Sequence, residues 1–312
     1  MIKDLRVLFM GTPDFAVSSC KALYENTTLV GVVTQPDRPK GRGGKMAAPE
    51  VKIFAESVGL PVYQPLSLRD GAFQSTLELL QPELIVVAAY GRILPEYILN
   101  FPRHGCINVH GSLLPKYRGA APIQRAVMNG DKQTGVTIMK MAQGMDTGDM
   151  ILQRSMDILE TDTSGSIFDR MAGLGAEALI EAIHRIVGGT AVYTPQCEEE
   201  ATYAPMIEKS EGVLDFSKPA AYLRGIIMGM SPSPGAFVEI GDQRLKIYEA
   251  LFGGDTNAPA GSITKISKEG IEIACGDGKA LLLKILQKQG KNRTDAYSYA
   301  CGTKLSVGDF LK

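Results

Sequence analysis

"CINVHGSLLPKYRGAAPIQ", residues 106–124, begins as a short apolar strand, continues through a loop rich in Gly, Pro and Ala, and ends where a helix is predicted. Asn108 and His110 are two residues apart in the strand, so their side chains lie on the same face. Ligands of open α/β sheets bind at the carboxyl ends of strands. The stretch therefore predicts a strand of such a sheet whose carboxyl end carries an amide and an imidazole.

Apolar strands alternate with helices on both sides of this stretch. Strands are predicted in "LRVLFMG", "LVGVVTQ", "ELIVVAAYG" and "GCINVHG", and helices in "DFAVSSCKALYEN", "MAAPEVKIFAESVG" and "APIQRAVMNG". A strand pair, "GVTIMKM" and "DMILQRSMDI", and a long helix in "DTSGSIFDRMAGLGAEALIEAIHRIVGG" follow. Nearly continuous apolar strands alternating with helices are typical of an α/β fold with a mostly parallel sheet covered on both faces.

The pattern changes after the segment "GTAVYTPQCEEEATYAPMIEKS", whose apolar residues show neither the helical nor the strand period. One helix, in "PAAYLRGIIMGM", precedes short strands in "GAFVEI", "QRLKIYEALF", "GSITKIS", "GIEIACGD" and "ALLLKILQKQG". Short strands separated by Gly, Asp and Pro turns predict a small β-barrel. We therefore predict an N-terminal domain over residues 1–189, a linker over 190–209 and a C-terminal domain over 210–312.

Composition limits the class of protein. The chain has 312 residues, enough for two cores, and a net charge of −1, so any surface that binds nucleic acid must be local. Its five cysteines form no CxxC pair, which argues against a disulfide framework and a zinc site. No apolar run reaches the roughly 20 residues that span a bilayer. The N-terminus does not resemble a signal peptide. We expect a cytoplasmic protein without a membrane segment.

The first strand-to-helix turn, "MGTPDFA", does not fit the dinucleotide fingerprint. That fingerprint needs glycines at its first, third and sixth positions, so that the backbone can approach a pyrophosphate. Here Gly11 is followed by Pro13 at the third position and Ala16 at the sixth. The turn is predicted to be structural or to be shaped for another substrate.

Asp146, in the glycine-flanked turn "QGMDTGDM", supplies a third polar group. Taken singly, His110 could be a satisfied core side chain and Asp146 a turn former. Together with Asn108, the three offer an amide that donates to an oxyanion, a ring that titrates near neutral pH and a carboxylate that orients it. No Ser or Cys nucleophile is evident, although Ser112 is close. This favours direct transfer to an external nucleophile over a covalent acyl-enzyme.

The motif "INVHGSLLPKYRGAAPIQ" with "GMDTGD" resembles the signature of the folate-dependent formyltransferases. The segments "MGTPDFA", "TQPDRPKGRGGK", "APEVK", "VVAAYGRILP" and "TYAPMIEKSEGVLDFS" extend the resemblance, in order, to the branch of that family that acts on methionyl-tRNA. The resemblance implies a Rossmann-like formyltransferase domain followed by an OB-like barrel that contacts tRNA. It also implies 10-formyltetrahydrofolate as the formyl donor, initiator methionyl-tRNA as the acceptor, and no metal. We expect a monomer.

The resemblance also assigns residues to these roles. Asn108 would hydrogen-bond the oxyanion, and His110, assisted by Asp146, would stabilise charge and move protons. The folate would be bound by a segment after the third strand and by the loop after His110: Tyr90, Arg92, Ile93, Leu94, Ser112, Leu113, Leu114 and Pro115. The tRNA would contact basic residues in two segments: Arg38, Lys40, Arg42, Lys45, Lys288, Lys291 and Arg293.

The basic segment "TQPDRPKGRGGK" is also compatible with a mobile surface loop that has no partner. By resemblance it enters the acceptor stem, and we expect Arg42, which is surrounded by glycines, to matter more than Lys40 or Lys45. The C-terminal segment "LLLKILQKQGKNR" has no acidic residue and could equally be a solvated strand and turn. Three alternatives stay open: a formyltransferase for a purine-pathway amine, one for an amino-sugar nucleotide, and a tRNA-binding protein without activity. An assay of charged tRNA against small amines separates them.

Overall fold

The computed structural model describes residues 2–40, 44–241 and 243–311. The described chain divides into two compact units, each made of segments that are separate in sequence. The first unit comprises Met1–Ala120, Gly135–Met156 and Phe168–Ala204, and the second Ala121–Thr134, Asp157–Ile167 and Pro205–Lys312. The predicted boundaries at residues 189 and 210 stay a prediction. The segment that was predicted to be a linker belongs to the first unit as far as Ala204.

The strands before residue 160 are β1 (Arg6–Gly11), β2 (Thr28–Val33), β3 (Arg38–Lys40), β4 (Lys45–Ala47), β5 (Val62–Tyr63), β6 (Leu84–Ala88), β7 (Cys106–His110), β8 (Gln133–Lys140) and β9 (Met150–Asp157). The main sheet has the order β5-β2-β1-β6-β7-β8-β9. Its neighbours from β5 to β7 are parallel, and β8 runs antiparallel to β7. Every residue of β6 is buried, as its continuous apolar run predicts.

The helices of this part are α1 (Phe15–Asn26), α2 (Glu50–Ser57), α3 (Gln74–Leu80), α4 (Glu96–Leu99), α5 (Pro122–Met128) and α6 (Ser164–Val187), with a 3-10 turn at Ile2–Asp4. The Asp14 carboxylate accepts the Phe15 N–H at 2.9 Å and so caps α1. Gly11, the last residue of β1, has no room for a Cβ, which would lie 2.9 Å from the Ala88 carbonyl oxygen. The first strand-to-helix turn is therefore shaped by close packing on β6.

Three local features differ from the sequence prediction or were missing from it. The helix predicted over "MAAPEVKIFAESVG" begins only at Glu50. Pro49 disfavours helical backbone angles in the residue before it, so the helix does not extend further towards the N-terminus. The residues before it form β4, which pairs antiparallel with β3 in a hairpin. Helices α3 and α4 were not predicted. Both are short and lack a clear helical period.

The second unit carries the later elements: α7 (Ala220–Gly229), β10 (Ala236–Ile240), β11 (Gln243–Asp255), β12 (Ile263–Ser267), β13 (Gly270–Ala274), β14 (Lys279–Lys288), β15 (Thr294–Asp295) and α8 (Ala296–Thr303). The strands pair antiparallel in the order β10-β11-β14-β13-β12, with β15 on β14. The register shifts three times along β11, and such irregularities bend a strand as a barrel-type sheet requires.

Helices α5 and α7 of the second unit pack with their backbones close together. A Cβ on Gly225 would lie 2.2 Å from the Met128 carbonyl oxygen, so only glycine fits there. The predicted fold class is confirmed: an α/β domain with a mostly parallel sheet, and a C-terminal domain of antiparallel strands. Within the described ranges, no helix has the length and hydropathy to cross a membrane.

Candidate functional site

His110 is the last residue of β7 and is buried, with 5% of its surface exposed. Its Nε2 lies 3.0 Å from the Tyr117 carbonyl oxygen, and its Nδ1 lies 3.6 Å from Oδ2 of Asp146. A carbonyl oxygen only accepts, so Nε2 carries the hydrogen and donates. The other nitrogen faces a carboxylate. A proton taken up at Nδ1 would therefore be met by a negative charge.

Asp146 lies in the turn between β8 and β9, in the left-handed region at φ 53°. Its Oδ2 accepts the Gly119 N–H at 2.8 Å. The same oxygen is the one that faces Nδ1 of His110. The Asp146 side chain is 18% exposed. The carboxylate is therefore held by the loop after β7 rather than left free in solvent.

Asn108 is half-buried in β7, where it pairs in register with Val87 of β6 and Met139 of β8. It shares a strand face with His110. Within the described residues, its side-chain amide makes no hydrogen bond. An amide of this kind is available to donate to a bound group, and the three predicted catalytic residues lie at one end of β7 and in the turn beside it.

The loop after His110 is fixed by Thr137 of β8. The Thr137 hydroxyl donates to the Ser112 carbonyl oxygen at 2.7 Å and accepts the Leu114 N–H at 3.0 Å. Ser112 is fully buried and donates from Oγ to the Lys116 carbonyl oxygen at 2.6 Å. Leu114 is buried, whereas Leu113 and Pro115 are half-buried. These hydrogen bonds hold the loop in place beside His110.

The other predicted folate residues follow β6 and differ in exposure. Tyr90 is 2% exposed within an apolar cluster, and burial raises the pKa of its hydroxyl, which has no hydrogen-bond partner in the described chain. Leu94 is also buried, but Ile93 is 82% exposed. The Arg92 guanidinium donates to the Gln35 side chain at 3.2 Å and to the Leu66 carbonyl oxygen at 2.8 Å. Ile93 and part of Arg92 are therefore accessible to a ligand, whereas Tyr90 and Leu94 belong to the buried core.

The first group of predicted tRNA residues lies on the β3–β4 hairpin. Arg38 is exposed and donates to the Gln35 side chain at 3.3 Å, and Lys45 is exposed on β4. Lys40 ends β3, where its backbone pairs with Lys45. Arg42 lies outside the described residues. Gln35 accepts from both Arg38 and Arg92, so one amide joins the hairpin to the segment after β6.

The second group lies at the end of β14 and just beyond it. Lys288 and Lys291 are exposed, and Arg293 stacks over the Tyr248 ring, 3.7 Å from its centre. Burial and then the neighbouring cations, Arg293 first, lower the pKa of Lys246. This effect indicates that positive charge accumulates on this part of the second unit. A surface of that kind attracts phosphates.

Sequence reasoning missed the side chains that hold the Asp146 turn. Arg118 is 1% exposed, pairs with Glu198 at 2.9 Å and donates from Nε to the Gln196 Oε1 at 3.0 Å. Gln196 and Glu198 lie in the segment that was predicted to be a linker. The only signal for them in the sequence was Arg118 itself, a charged residue in a loop otherwise rich in small residues. Among the described residues, no cluster of three or more His, Cys, Asp or Glu side chains could hold a metal ion.

Comparison with known proteins gives matches along the whole chain. A family described as formyl transferase matches residues 5–183, and one described as formyl transferase, C-terminal domain, matches residues 206–304. A methionyl-tRNA formyltransferase of Desulfotalea psychrophila is 46% identical over 312 residues, which are 99% of this chain and 96% of the relative.

Two solved structures share the fold at low identity. The N-formyltransferase of Helicobacter canadensis, in complex with folinic acid and dTDP-3-aminofucose, has a TM-score of 0.67 and 18% identity, over 91% of this chain and 99% of that one. HypX of Aquifex aeolicus, in complex with tetrahydrofolic acid, has a TM-score of 0.65 and 17% identity, over 98% of this chain and 48% of that one. Both likenesses concern the fold alone.

Proposed function

The chain belongs to the formyl transferase family, with methionyl-tRNA formyltransferases among its full-length relatives, and on this premise we propose that it formylates initiator methionyl-tRNA. The formyl group would pass from 10-formyltetrahydrofolate to the amino group of the methionyl moiety, as translation initiation requires. The observation that supports this most strongly is the His110 ring between the Tyr117 carbonyl oxygen and the Asp146 carboxylate, beside the unpaired amide of Asn108.

The chain's own residues account for the charges that the reaction creates. Attack of an amine on a formyl carbon puts negative charge on the formyl oxygen and positive charge on the attacking nitrogen. The free amide of Asn108 donates to that oxygen, and a preorganised donor of this kind stabilises the transition state by roughly 3–4 kcal/mol. His110 would accept the proton of the attacking amine at Nδ1, because Nε2 is already committed to the Tyr117 carbonyl oxygen. It would then pass this proton to the folate nitrogen whose bond to the formyl carbon breaks. Asp146 stabilises the protonated ring.

The residues after β6 and β7 fit a folate derivative, the class of co-substrate that the family uses. When bound, 10-formyltetrahydrofolate supplies the formyl group. Ile93 offers an exposed apolar side chain to a flat ring, and the half-buried Leu113 and Pro115 line the loop after His110. Arg92 precedes Ile93 in the chain. Its Nε and Nη1 donate to the Gln35 side chain and to the Pro65 and Leu66 carbonyl oxygens, so within the described chain Nη2 remains to donate to polar ring atoms or to a carboxylate. Tyr90 and Leu94 are buried, so we assign them to the packing of this segment rather than to direct contact with the folate.

For the tRNA we propose contacts from both basic groups of residues. Arg38, Lys40 and Lys45 lie on the β3–β4 hairpin, and Arg42 falls between the two strands in sequence. Lys288, Lys291 and Arg293 supply the contacts of the C-terminal domain, 210–312, where positive charge accumulates around Lys246. Phosphate contacts position a nucleic acid without reading its sequence. We further propose that the protein acts as a monomer in the cytoplasm.

The test is a comparison of formyl acceptors. Purified protein and 10-formyltetrahydrofolate are incubated with initiator methionyl-tRNA, uncharged initiator tRNA or a dTDP-linked amino sugar, and transfer of labelled formyl is measured for each. We expect transfer to methionyl-tRNA alone. An equal or higher kcat/KM for the amino sugar would assign the chain to the sugar-modifying branch instead, and absence of transfer to any amine would point to a binding protein.

A further inference from the structure

The segment before Ala204 is bound to the loop that carries the site. The Tyr117 N–H donates to the Thr202 hydroxyl at 2.9 Å, the Arg118 N–H donates to the Thr202 carbonyl oxygen at 2.8 Å, and the Ala204 N–H donates back to the Arg118 carbonyl oxygen at 2.7 Å. Tyr117 is also the residue whose carbonyl oxygen accepts from His110. These hydrogen bonds join the segment to the loop that carries Tyr117 and Arg118.

Gln196 of this segment is directed at the turn that contains Asp146. Its Nε2 donates to two backbone carbonyl oxygens, those of Asp146 and Gly148, each at 2.7 Å. Its Oε1 accepts from Arg118 at 3.0 Å. An amide nitrogen has two hydrogens, and both are used on this one turn.

The turn needs such support because its backbone is not in a relaxed conformation. Asp146 has φ 53°, a left-handed conformation that few non-glycine residues adopt, although Asp and Asn adopt it more readily than most. A Cβ on Gly148 would lie 1.7 Å from the Lys140 carbonyl oxygen, so the other end of the turn lies directly against β8. Hydrogen bonds to the carbonyls at 146 and 148 fix the direction in which the Asp146 side chain leaves the backbone.

Arg118 fixes Gln196 in turn. It is among the largest side chains that are fully buried, with 1% of its surface exposed, and it makes two bonds of 2.9 Å to the carboxylate of Glu198. Its Nε is then left for Gln196. The amide of Gln196 is thus oriented unambiguously: its oxygen faces a donor, and its nitrogen faces two acceptors.

We propose that Gln196 is a positioning residue for formyl transfer, which acts by holding the Asp146 carboxylate against His110. The inference rests on the proposed function and goes beyond it, because Gln196 touches neither the reacting groups nor His110. A displacement of about 1 Å at a catalytic group can cost up to about 100-fold in rate. Loss of Gln196 leaves the Gly119 N–H on Asp146, so we expect a loss in kcat of about 10-fold rather than abolition.

The test compares Gln196→Met and Gln196→Glu with the wild type. The methionine variant removes donor and acceptor. The glutamate variant keeps an acceptor for Arg118 and removes the two N–H donors to the carbonyls of Asp146 and Gly148. It therefore provides the test if the methionine variant does not fold. We expect both to lower kcat about 10-fold, with KM for either substrate within about 2-fold. Gln74→Met is the matched control and should behave as wild type: this glutamine is half-buried, and among the described residues its side chain bonds only to Glu78.

A double-mutant cycle with Asp146→Asn identifies the route of the effect. If Gln196 acts through Asp146, Gln196→Met should slow the Asp146→Asn enzyme by less than about 2-fold. Additive losses, or unchanged kcat in a folded Gln196→Glu variant, would overturn the inference. These outcomes differ from failure of the proposed function, which would appear as a wild-type enzyme without transfer to methionyl-tRNA or as full activity of Asp146→Asn itself.

Discussion

Replacement of Asp146 by Asn removes the negative charge beside His110 and changes little else. Asn is nearly isosteric, it tolerates the left-handed conformation at φ 53° better than other residues do, and its amide oxygen can still accept from Gly119. Ala would lose that hydrogen bond as well and would add backbone strain. The Asn variant therefore separates the contribution of charge to catalysis from the contribution of structure.

The expected loss follows from the distance between Nδ1 of His110 and Oδ2 of Asp146, which is 3.6 Å. Opposite unit charges at that separation attract by roughly 4.6 kcal/mol at an effective dielectric constant of 20. The Asp146 side chain is 18% exposed, and screening by solvent reduces this value. A loss of about 2–3 kcal/mol from the transition state is then expected, which corresponds to roughly 100-fold in kcat.

The assay is transfer of labelled formyl to initiator methionyl-tRNA at saturating concentrations of both substrates. Thermal unfolding of each variant shows whether the fold is intact, and a binding measurement with the folate shows whether affinity changes. We expect the Asp146→Asn variant to unfold within about 4 °C of wild type, since 1 kcal/mol corresponds to a few degrees in a chain of this size. A folded variant with more than about half of the wild-type kcat would refute the role of the carboxylate.

Three further predictions concern other parts of the molecule. Asn108→Ala should lower kcat by about 100-fold or more, because a lost oxyanion donor costs roughly 3–4 kcal/mol, and normal turnover in a folded variant would show that the donor is another group. Lys288→Glu combined with Lys291→Glu should raise KM for tRNA about 10-fold at low salt and leave KM for the folate unchanged; equal changes in both would indicate a structural role. Gly148→Ala should lower Tm and activity together, because its Cβ would lie 1.7 Å from a backbone carbonyl oxygen. Gly173→Ala, in α6 with no atom near the new Cβ, should stabilise by about 0.5–1 kcal/mol, and the reverse order of the two Tm values would contradict the packing argument.

Those features of the site that lie within one segment of the chain could be predicted from the sequence. The continuous apolar run of β6 and the i, i+2 spacing of Asn108 and His110 are properties of single segments, and the sequence shows them directly. The contacts of Gln196 could not be predicted, because this residue lies 50 positions from Asp146 in sequence and its segment has no secondary-structure period.

The fold shows the same limit. The helix around Val51 was predicted from its apolar positions, but its start depended on Pro49. The preceding hairpin depended on the pairing of β3 with β4, for which neither strand shows a pattern of its own. Burial of Tyr90 also depended on tertiary packing: its side chain joins an apolar cluster formed by helices and strands from different parts of the chain. A tyrosine after a strand does not show from sequence which way its ring points.

The most direct test of the account is single-turnover formyl transfer to initiator methionyl-tRNA by the wild type and by His110→Ala, with enzyme in excess and labelled 10-formyltetrahydrofolate. We predict one formyl group per methionyl-tRNA in the wild type, and a rate constant at least about 100-fold lower in His110→Ala with unchanged folate affinity, since the ring is the group that receives the proton. Transfer at the wild-type rate by His110→Ala, or a wild-type enzyme that formylates an amino sugar but not methionyl-tRNA, would contradict the account.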